Sequence, residues 1–373
     1  LETAYQDERG VDAHYWAVWG ALKFASRNRV EMIRDQIEIF RRGFLDLPQM
    51  LIPDEILSQT DYDQYNELTL QEFPAAYIIP ASTPGQVSPH QAARLVDFLI
   101  DNDVQVHSAL QSFAFEGTVY PAGTYIVWMD QPKRGLANTI LDAGRDLSAL
   151  EGLTFYSPPA AWSNPLLWGA ARVIMPDRIE VATVRIDRAV PPVGSLETGD
   201  SGYYAFLPNS LAAFQAANEI LKGGNLYRAS EKFEDSGRSF DAGTFIMPAD
   251  TATARSLADY YALDLFSLLQ VPETAVELSQ ARIAVVGDEG TLYALKVLSF
   301  SADVFSASDM NSTKIMQYDL LVNQNFYWSN LGSTGQEAFK LFFATGGDYL
   351  GLGSSGTQFA IDAGVLDVSI ART

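Results

Sequence analysis

Residues 120–127 have the sequence Tyr-Pro-Ala-Gly-Thr-Tyr-Ile-Val, and residues 240–247 have the sequence Phe-Asp-Ala-Gly-Thr-Phe-Ile-Met. The two stretches share the pattern aromatic-x-Ala-Gly-Thr-aromatic-Ile, and equivalent positions lie 120 residues apart. The glycine predicts a tight turn, and the apolar residues after it predict a buried strand. A pattern of this length indicates an internal repeat rather than chance.

The sequence around the two stretches extends the repeat. Each copy begins with an apolar strand, at residues 76–80 or 204–208, which a helix and a second strand follow. After the glycine turn and its strand, each copy ends in a second helix, predicted over residues 134–150 or 253–269. Each copy is therefore predicted to be a small β-α-β-β-α module, a sheet covered by helices.

The N-terminal residues 11–46 predict one long helix with an apolar stripe. Residues three or four positions apart form this stripe, which comprises Tyr15, Trp19, Leu22, Ser26, Val30, Ile33, Ile37, Phe40 and Phe44. The opposite face carries charged residues, among them Arg27, Arg34 and Glu38. Such a stripe needs a partner surface, which either the rest of this chain or a separate domain supplies.

The C-terminal residues 281–373 predict short apolar strands alternating with helices, a pattern typical of a doubly wound parallel sheet. The predicted fold class is therefore α/β, with a long N-terminal helix, two copies of the small module and a parallel-sheet domain. The predicted domains are a linking helix at 1–50, a first module at 51–190, a second module at 191–280 and the parallel-sheet domain at 281–373.

The composition limits the classes of ligand and cofactor. The chain has 373 residues and a formal net charge of −21, which repels nucleic-acid phosphates and anionic lipids, so no nucleic-acid partner is expected. It contains no cysteine, which excludes thiolate zinc sites and cysteine nucleophiles in this chain. The three histidines are not spaced as a zinc site, and no apolar run predicts membrane insertion. No cofactor is therefore expected in this chain.

Two further patterns concern possible sites. Gly199-Asp200-Ser201-Gly202 resembles a serine-protease nucleophile motif over four residues only and is interpreted as a polar turn. With 46 acidic residues, a catalytic carboxylate pair is an open alternative, although the sequence singles out no pair. Four tryptophans are candidate ligand-facing aromatic residues, with core packing as their alternative role: Trp128, Trp162, Trp168 and Trp328.

Four segments carry a resemblance to a known family. They are residues 120–125, Met129-Asp130-Gln131-Pro132, Arg134-Gly135-Leu136-Ala137-Asn138, and Ala161-Trp162-Ser163-Asn164-Pro165-Leu166 with Gly169. Together they resemble the C-terminal region of large bacterial zinc-carboxypeptidase-like proteins of the carboxypeptidase A type. In that family these segments follow the peptidase domain, and the helix at 11–46 resembles the linking helix. The resemblance implies a preceding peptidase domain as partner, zinc in that domain, and a periplasmic or secreted location.

The C-terminal region resembles a class I glutamine-amidotransferase-like domain. The strand at residues 348–351 leads into Leu352-Gly353-Ser354-Ser355-Gly356, where the family has a turn that carries its cysteine nucleophile. The resemblance matches that cysteine to Gly353, which has no side chain. Ser354 is adjacent, but an unassisted hydroxyl is a poor nucleophile, and no histidine follows His107 in the sequence. We therefore expect a degenerate nucleophile elbow and no catalytic residue in this chain; the alternative is a serine site at Ser354 that a histidine from another module serves.

These observations lead to one principal expectation about function and two alternatives. The principal expectation is a non-catalytic accessory region of a zinc metallocarboxypeptidase, which packs on the peptidase domain or presents peptide or cell-wall substrate to it. One alternative is an independent periplasmic protein that binds peptides or glycans. The other is a hydrolase that uses a pair of carboxylates.

Overall fold

A computed structural model describes residues 2–58, 72–82, 85–143, 163–199, 202–310 and 313–368. The fold is mixed α/β with several sheets, one of which is parallel, as the sequence predicts. The contacts divide the chain into two compact units, residues 1–191 and residues 192–373. The predicted second module and the predicted parallel-sheet domain both lie in the second unit.

The long helix of the first unit is α1, Glu2–Phe44, and a short helix α2, Asp54–Leu57, follows it. Most of α1 is exposed: Trp19 on the stripe is 44% exposed and Ile33 is 59% exposed. Among the described residues of the first unit, contacts with α1 are found at its C-terminal end. Gly43 is buried against the backbone of Gln131, and the ammonium group of Lys133 lies 5.3 Å from the centre of the Phe40 ring.

The first unit contains a five-stranded antiparallel sheet with the strand order β6-β1-β5-β2-β7. Its strands and the hairpin strands β3 and β4 are β1 (Ala76–Ile79), β2 (Val106–Ala109), β3 (Phe113–Phe115), β4 (Thr118–Tyr120), β5 (Tyr125–Trp128), β6 (Val173–Met175) and β7 (Thr183–Ile186). Its helices are α3 (Pro89–Asp101), α4 (Arg134–Leu141) and α5 (Asn164–Trp168). The hydroxyl of Ser88 caps α3 by accepting a hydrogen bond from the backbone N–H of Gln91.

The second unit contains an antiparallel sheet with the same arrangement of five strands and one added edge strand. The added strand, β8, pairs in parallel with β14. The strands are β8 (Ser195–Leu196), β9 (Tyr203–Phe206), β10 (Leu226–Ala229), β11 (Phe233–Asp235), β12 (Arg238–Phe240), β13 (Phe245–Pro248), β14 (Asp264–Leu268) and β15 (Ala275–Leu278). The helices are α6 (Leu211–Ile220) and α7 (Thr251–Tyr261). The strand order is β15-β10-β13-β9-β14-β8.

The two sheets correspond strand by strand. In chain order, β1, β2, β5, β6 and β7 occupy the places of β9, β10, β13, β14 and β15. The registers agree as well, because Ile126 pairs with His107 just as Ile246 pairs with Tyr227. The glycines that precede the buried strands have nearly the same backbone angle, with φ of 90° at Gly123 and 93° at Gly243. The hairpins β3–β4 and β11–β12 each contain a stacked pair of aromatic rings.

Each sheet has apolar residues on both faces. In the first sheet, the face that carries Tyr77 and Val127 packs against α3 and α4, and the face that carries Ile78 and Ile126 packs against the hairpin. The second sheet repeats this arrangement with α6 and α7 on one face and its own hairpin on the other. The central strands are buried on both faces, which explains their continuous apolar sequence.

The second helix of each module differs from the sequence prediction. In the first unit α4 ends at Leu141, and residues 144–150 lie outside the described residues. In the second unit the predicted helix over 253–269 is wrong beyond Tyr261. The helix stops at Ala262, whose φ of 51° is left-handed, and residues 264–268 form β14. Pairing with β9 outweighs the local helical pattern there.

The remainder of the second unit contains a parallel sheet with the strand order β17-β16-β18-β19. Its strands are β16 (Ile283–Val286), β17 (Ala302–Phe305), β18 (Leu320–Asn323) and β19 (Asp348–Gly351). Its helices are α8 (Glu289–Val297), α9 (Ala307–Met310), α10 (Ser333–Ala344) and α11 (Gly353–Asp362), with short 3-10 turns at Thr313–Gln317 and Trp328–Asn330. Phe305, Phe339 and Phe359 form part of its core.

Candidate functional site

The carboxyl edge of the parallel sheet contains the turn that the sequence singles out. Strand β19 ends at Gly351, Leu352 caps the next helix, and Gly353 is the first residue of α11. Gly353 has a left-handed backbone with φ of 64°, and a β-carbon at this position would meet no atom within 4 Å. A side chain at position 353 would therefore project into open space at the start of the helix.

A buried hydrogen-bond network holds this turn in place. The side-chain amide of Asn323, at the end of β18, donates to the Tyr349 hydroxyl over 3.0 Å, and that hydroxyl donates to the carbonyl of Gly356 over 2.8 Å. The Asn323 carbonyl accepts a hydrogen bond from the backbone N–H of Leu352 over 2.7 Å. Burial raises the pKa of Tyr349 to about 12, so its hydroxyl keeps the proton that it donates.

The serines of the turn are not assembled into a nucleophilic site. Ser354 is exposed, and its hydroxyl forms no hydrogen bond within the part of the chain that the structure describes. The Ser355 hydroxyl donates to the hydroxyl of Tyr327 over 3.3 Å. A serine nucleophile needs a base within hydrogen-bonding reach, and the described surroundings of Ser354 supply none. The first residue of α11, Gly353, has no side chain that could react.

The neighbouring carboxylate at this edge has a structural role. Asp288 follows β16 and caps α8, because its side chain accepts hydrogen bonds from the backbone N–H and the hydroxyl of Thr291, over 2.6 Å and 2.7 Å. These two bonds lower the pKa of Asp288, so the carboxylate is ionised at neutral pH. The carboxylate oxygens of Asp288 thus cap the N-terminus of α8 and are not directed at a reacting group.

The candidate tryptophans lie in separate cores. Trp128 is 6% exposed and covered by the guanidinium of Arg178, 4.3 Å from its ring centre. Trp168 is on the other face of the same sheet, where its ring packs against Phe98. Trp328 belongs to the second unit and packs edge-on against the rings of Phe339 and Phe359. These three tryptophans do not line one common groove, and Trp162 lies outside the described residues.

His107 is a partly buried histidine of the first sheet. It lies on β2 opposite Arg185 of β7, and its Nδ1 is buried with no hydrogen-bond partner among the described residues. Burial, then Arg185, lowers the pKa of His107, and the nearby carboxylate of Asp130 opposes this only in part. The imidazole is therefore neutral at pH 7. The other two histidines, His14 and His90, lie on α1 and in the first turn of α3.

A groove that the sequence prediction missed opens between α6 and α7 of the second unit. It has a volume of about 800 Å³, and its lining combines apolar side chains such as Ile220, Met247 and Leu257 with the rings of Tyr260 and Tyr261. Tyr260 is 82% exposed, and its ring meets that of Tyr261 edge-on at a centroid distance of 4.7 Å. The sequence feature that could have indicated this groove is the pair Tyr260 and Tyr261, which lies at the end of the alanine-rich face of α7.

Glu219 forms one end of the groove. Its carboxylate pairs with Lys222, in the turn that follows α6, over 2.5 Å, and both side chains are half exposed. Burial, then Glu219, then Tyr260, raise the pKa of Tyr261, so its phenol is uncharged at neutral pH. The groove therefore presents aromatic rings, aliphatic side chains, hydroxyl groups and one carboxylate.

The described residues contain no group of three or more histidine, aspartate or glutamate side chains placed to hold a metal ion. None of the described helices has both the length and the apolar character required to cross a bilayer. Comparison of the chain with family models, with curated proteins and with solved structures finds no match in any of the three.

Proposed function

We propose that this chain is the non-catalytic accessory region of a zinc carboxypeptidase-like protein and that α1 packs on a peptidase domain. The exposed apolar stripe of α1 carries this proposal. The helix extends about 64 Å at 1.5 Å per residue, and the described residues of its own unit hold it at its C-terminal end. A stripe with Trp19, Leu22 and Ile33 exposed to water is strongly unfavourable unless another surface covers it.

The proposal also includes a duplication: the two antiparallel sheets are copies of one module. The shared strand order, register and glycine backbone angles agree with the repeat in the sequence. In the accessory role the two modules would hold peptide or cell-wall substrate near the peptidase, in the periplasm or outside the cell.

The parallel sheet would then be a degenerate amidotransferase-like domain. Support comes from the left-handed backbone of Gly353, with φ of 64°, in the turn between β19 and α11, where a nucleophile elbow would lie. Glycine adopts this backbone conformation without strain and supplies no side chain. This combination favours a domain retained for packing or binding.

An independent peptide-binding protein is the second candidate, and the groove between α6 and α7 favours it. Exposed aromatic rings beside apolar side chains are typical of surfaces that hold a ligand by stacking. This candidate needs no peptidase domain.

The experiment that separates the two candidates is a measurement on the native protein. An antibody raised against this chain is used to isolate the protein from its source cells, and the product is analysed for mass, zinc and release of C-terminal amino acids from peptides. We expect a product several hundred residues longer than 373 residues, with one zinc per molecule and chelator-sensitive activity. A product of about this length, without zinc or activity, would exclude the accessory role.

The role of α1 is tested separately in the same native protein. Ile33→Asp places a charge on the apolar stripe, and Arg34→Asp places one on the opposite, charged face. If α1 packs on a peptidase domain, Ile33→Asp lowers the thermal stability of that domain and Arg34→Asp leaves it unchanged. Equal effects of the two substitutions would show that the stripe is not an interface.

A further inference from the structure

The first unit contains a surface equivalent to the groove between α6 and α7. In the first unit, a segment of that unit's own chain covers this surface. In the first unit α5 contacts both α3 and α4. Its Trp168 ring lies 5.3 Å from the ring of Phe98 and 4.3 Å from the guanidinium of Arg94, both on α3. The short helix α5 thus fills the space beside α3 and α4.

The second unit has no counterpart of α5. The chain passes from Leu141 at the end of α4 to Val173 at the start of β6 through a segment that contains α5. The corresponding connection in the second unit runs from Tyr261 to Asp264, and the structure describes all of it. Among the described residues, the surface that α5 covers in the first unit is therefore open in the second unit, where Ser299 borders it.

The residues of the groove match this interpretation. Helices α3 and α6 align at their capping serines, Ser88 and Ser210, each of which accepts a hydrogen bond from the backbone N–H three residues later. This alignment places Ile220, in the groove, at the position of Phe98, which contacts Trp168.

The same alignment places a carboxylate at equivalent positions in the two units. Glu219 stands where Asp97 stands in the first unit. The Asp97 carboxylate accepts a hydrogen bond from the backbone N–H of Ala189 over 2.8 Å, so in the first unit this position binds polypeptide backbone.

We propose that the groove between α6 and α7 binds a short peptide segment, in a helical turn, that inserts an aromatic side chain between Ile220 and the tyrosine pair. The segment takes the place that α5 occupies in the first unit. The aromatic ring of the peptide packs on Ile220, Leu257 and Tyr260, and the carboxylate of Glu219 lies beside the bound peptide.

The first unit also indicates the charge of the peptide. Arg172 follows Trp168 by four residues, and its Nε donates to the carbonyl of Leu141 at the end of α4 over 2.6 Å. A basic residue at the same distance from the aromatic residue would meet the carbonyl groups at the end of α7 and the carboxylate of Glu219. The chain as a whole has a net charge of −21, which also favours a basic peptide. This inference does not depend on the accessory role proposed above.

The probe is a fluorescein-labelled peptide with the sequence of residues 163–172, Ser-Asn-Pro-Leu-Leu-Trp-Gly-Ala-Ala-Arg, titrated with the full chain and followed by fluorescence anisotropy. We expect saturable binding, and a peptide with Trp168→Ala should bind at least about tenfold more weakly. Tyr260→Ala in the chain should weaken binding about fivefold. Because Tyr260 is 82% exposed, its truncation leaves the fold intact. The matched control is Tyr293→Ala, which removes a tyrosine that is 72% exposed on α8 and should not change binding.

Three results would overturn the proposal. The first is the absence of saturable binding up to millimolar concentrations of the chain. The second is equal binding by the Tyr260→Ala and unsubstituted chains, which would place the peptide elsewhere, including on the first unit. The third is saturable binding of a neutral oligosaccharide, such as chitotetraose, that Tyr260→Ala abolishes while the peptide does not bind. That result would assign the groove to glycans.

Discussion

The hydroxyl of Tyr349 donates a hydrogen bond to the carbonyl oxygen of Gly356 over 2.8 Å and accepts one from the side-chain amide of Asn323 over 3.0 Å. Both bonds are partly buried, and they connect the end of β18 to the first turn of α11. The hydroxyl of Tyr349 therefore helps to hold the turn at Gly353 in place.

Tyr349→Phe removes both bonds and leaves the side-chain amide of Asn323, which is fully buried, with one partner fewer. We expect the free energy of unfolding of the second unit to fall by about 1–3 kcal/mol, because a buried donor and a buried carbonyl lose their partner. Urea denaturation combined with hydrogen exchange of residues 348–362 measures this. Tyr293→Phe, at an exposed position, is the control and should change stability by less than about 0.5 kcal/mol. Equal effects would show that the network does not hold the turn.

Alanine substitutions at two glycines of α1 are expected to have opposite effects on stability. A β-carbon at Gly43 would collide with the carbonyl oxygen of Gln131, whereas one at Gly20 meets no atom within 4 Å. Gly43→Ala should therefore destabilise the attachment of α1 by about 1–3 kcal/mol. Gly20→Ala should instead stabilise the helix by about 1 kcal/mol, because alanine has the higher helix propensity. Circular dichroism and limited proteolysis around residues 44–50 measure both changes. A stabilising Gly43→Ala would mean that this end of α1 is not anchored as described.

His107 predicts a pH dependence of the stability of the first unit. Burial lowers its pKa in the folded state below 6.5, so the unfolded chain binds more protons as the pH falls below that value. The folded state is then progressively destabilised between pH 6.5 and the lower folded-state pKa. His107→Tyr, which copies Tyr227 of the second sheet, should remove this part of the pH dependence.

The measurement is the difference in unfolding free energy between His107→Tyr and the unsubstituted chain, followed from pH 7.5 to pH 5. It should shift in favour of the variant as the pH falls below about 6.5. A constant difference for His107→Tyr would contradict the prediction.

The open space at Gly353 predicts the behaviour of a cysteine introduced there. The chain has no cysteine, so Gly353→Cys gives a single thiol at the first residue of α11. The helix N-terminus should lower the pKa of that thiol below about 8.5 and accelerate its alkylation at pH 7. The comparison is Tyr293→Cys, in the interior of α8. Rates and pH profiles that coincide for the two variants would show that the turn does not activate a side chain.

The sequence predicted the interior of the fold better than its edges. Strands β5 and β13 were predictable, because a glycine turn precedes an apolar run that is buried on both faces. The edge strands β7 and β15 were not, because each has exposed charged residues, Arg185 and Glu277, and no apolar run. Their strand structure comes from pairing with β2 and β10, which are distant in the sequence.

The candidate site shows the same limit. The turn at Gly353 could be predicted, because glycines follow a short strand in the sequence. Tyr260 could not be assigned to a groove, because its exposure follows from the missing counterpart of α5 and not from its own helix. The missing counterpart of α5 becomes visible when the structures of the two units are compared.

The order of the strands in the first sheet also has a consequence for synthesis on the ribosome. Strand β1 pairs with β6, and β2 pairs with β7, so neither edge can be completed until residues 173–186 have left the ribosome. Until then β1 and β2 each expose an unpaired backbone edge while α1 and its apolar stripe have already emerged. We expect the nascent chain to need protection by a chaperone during this interval, which ends when β7 closes the sheet.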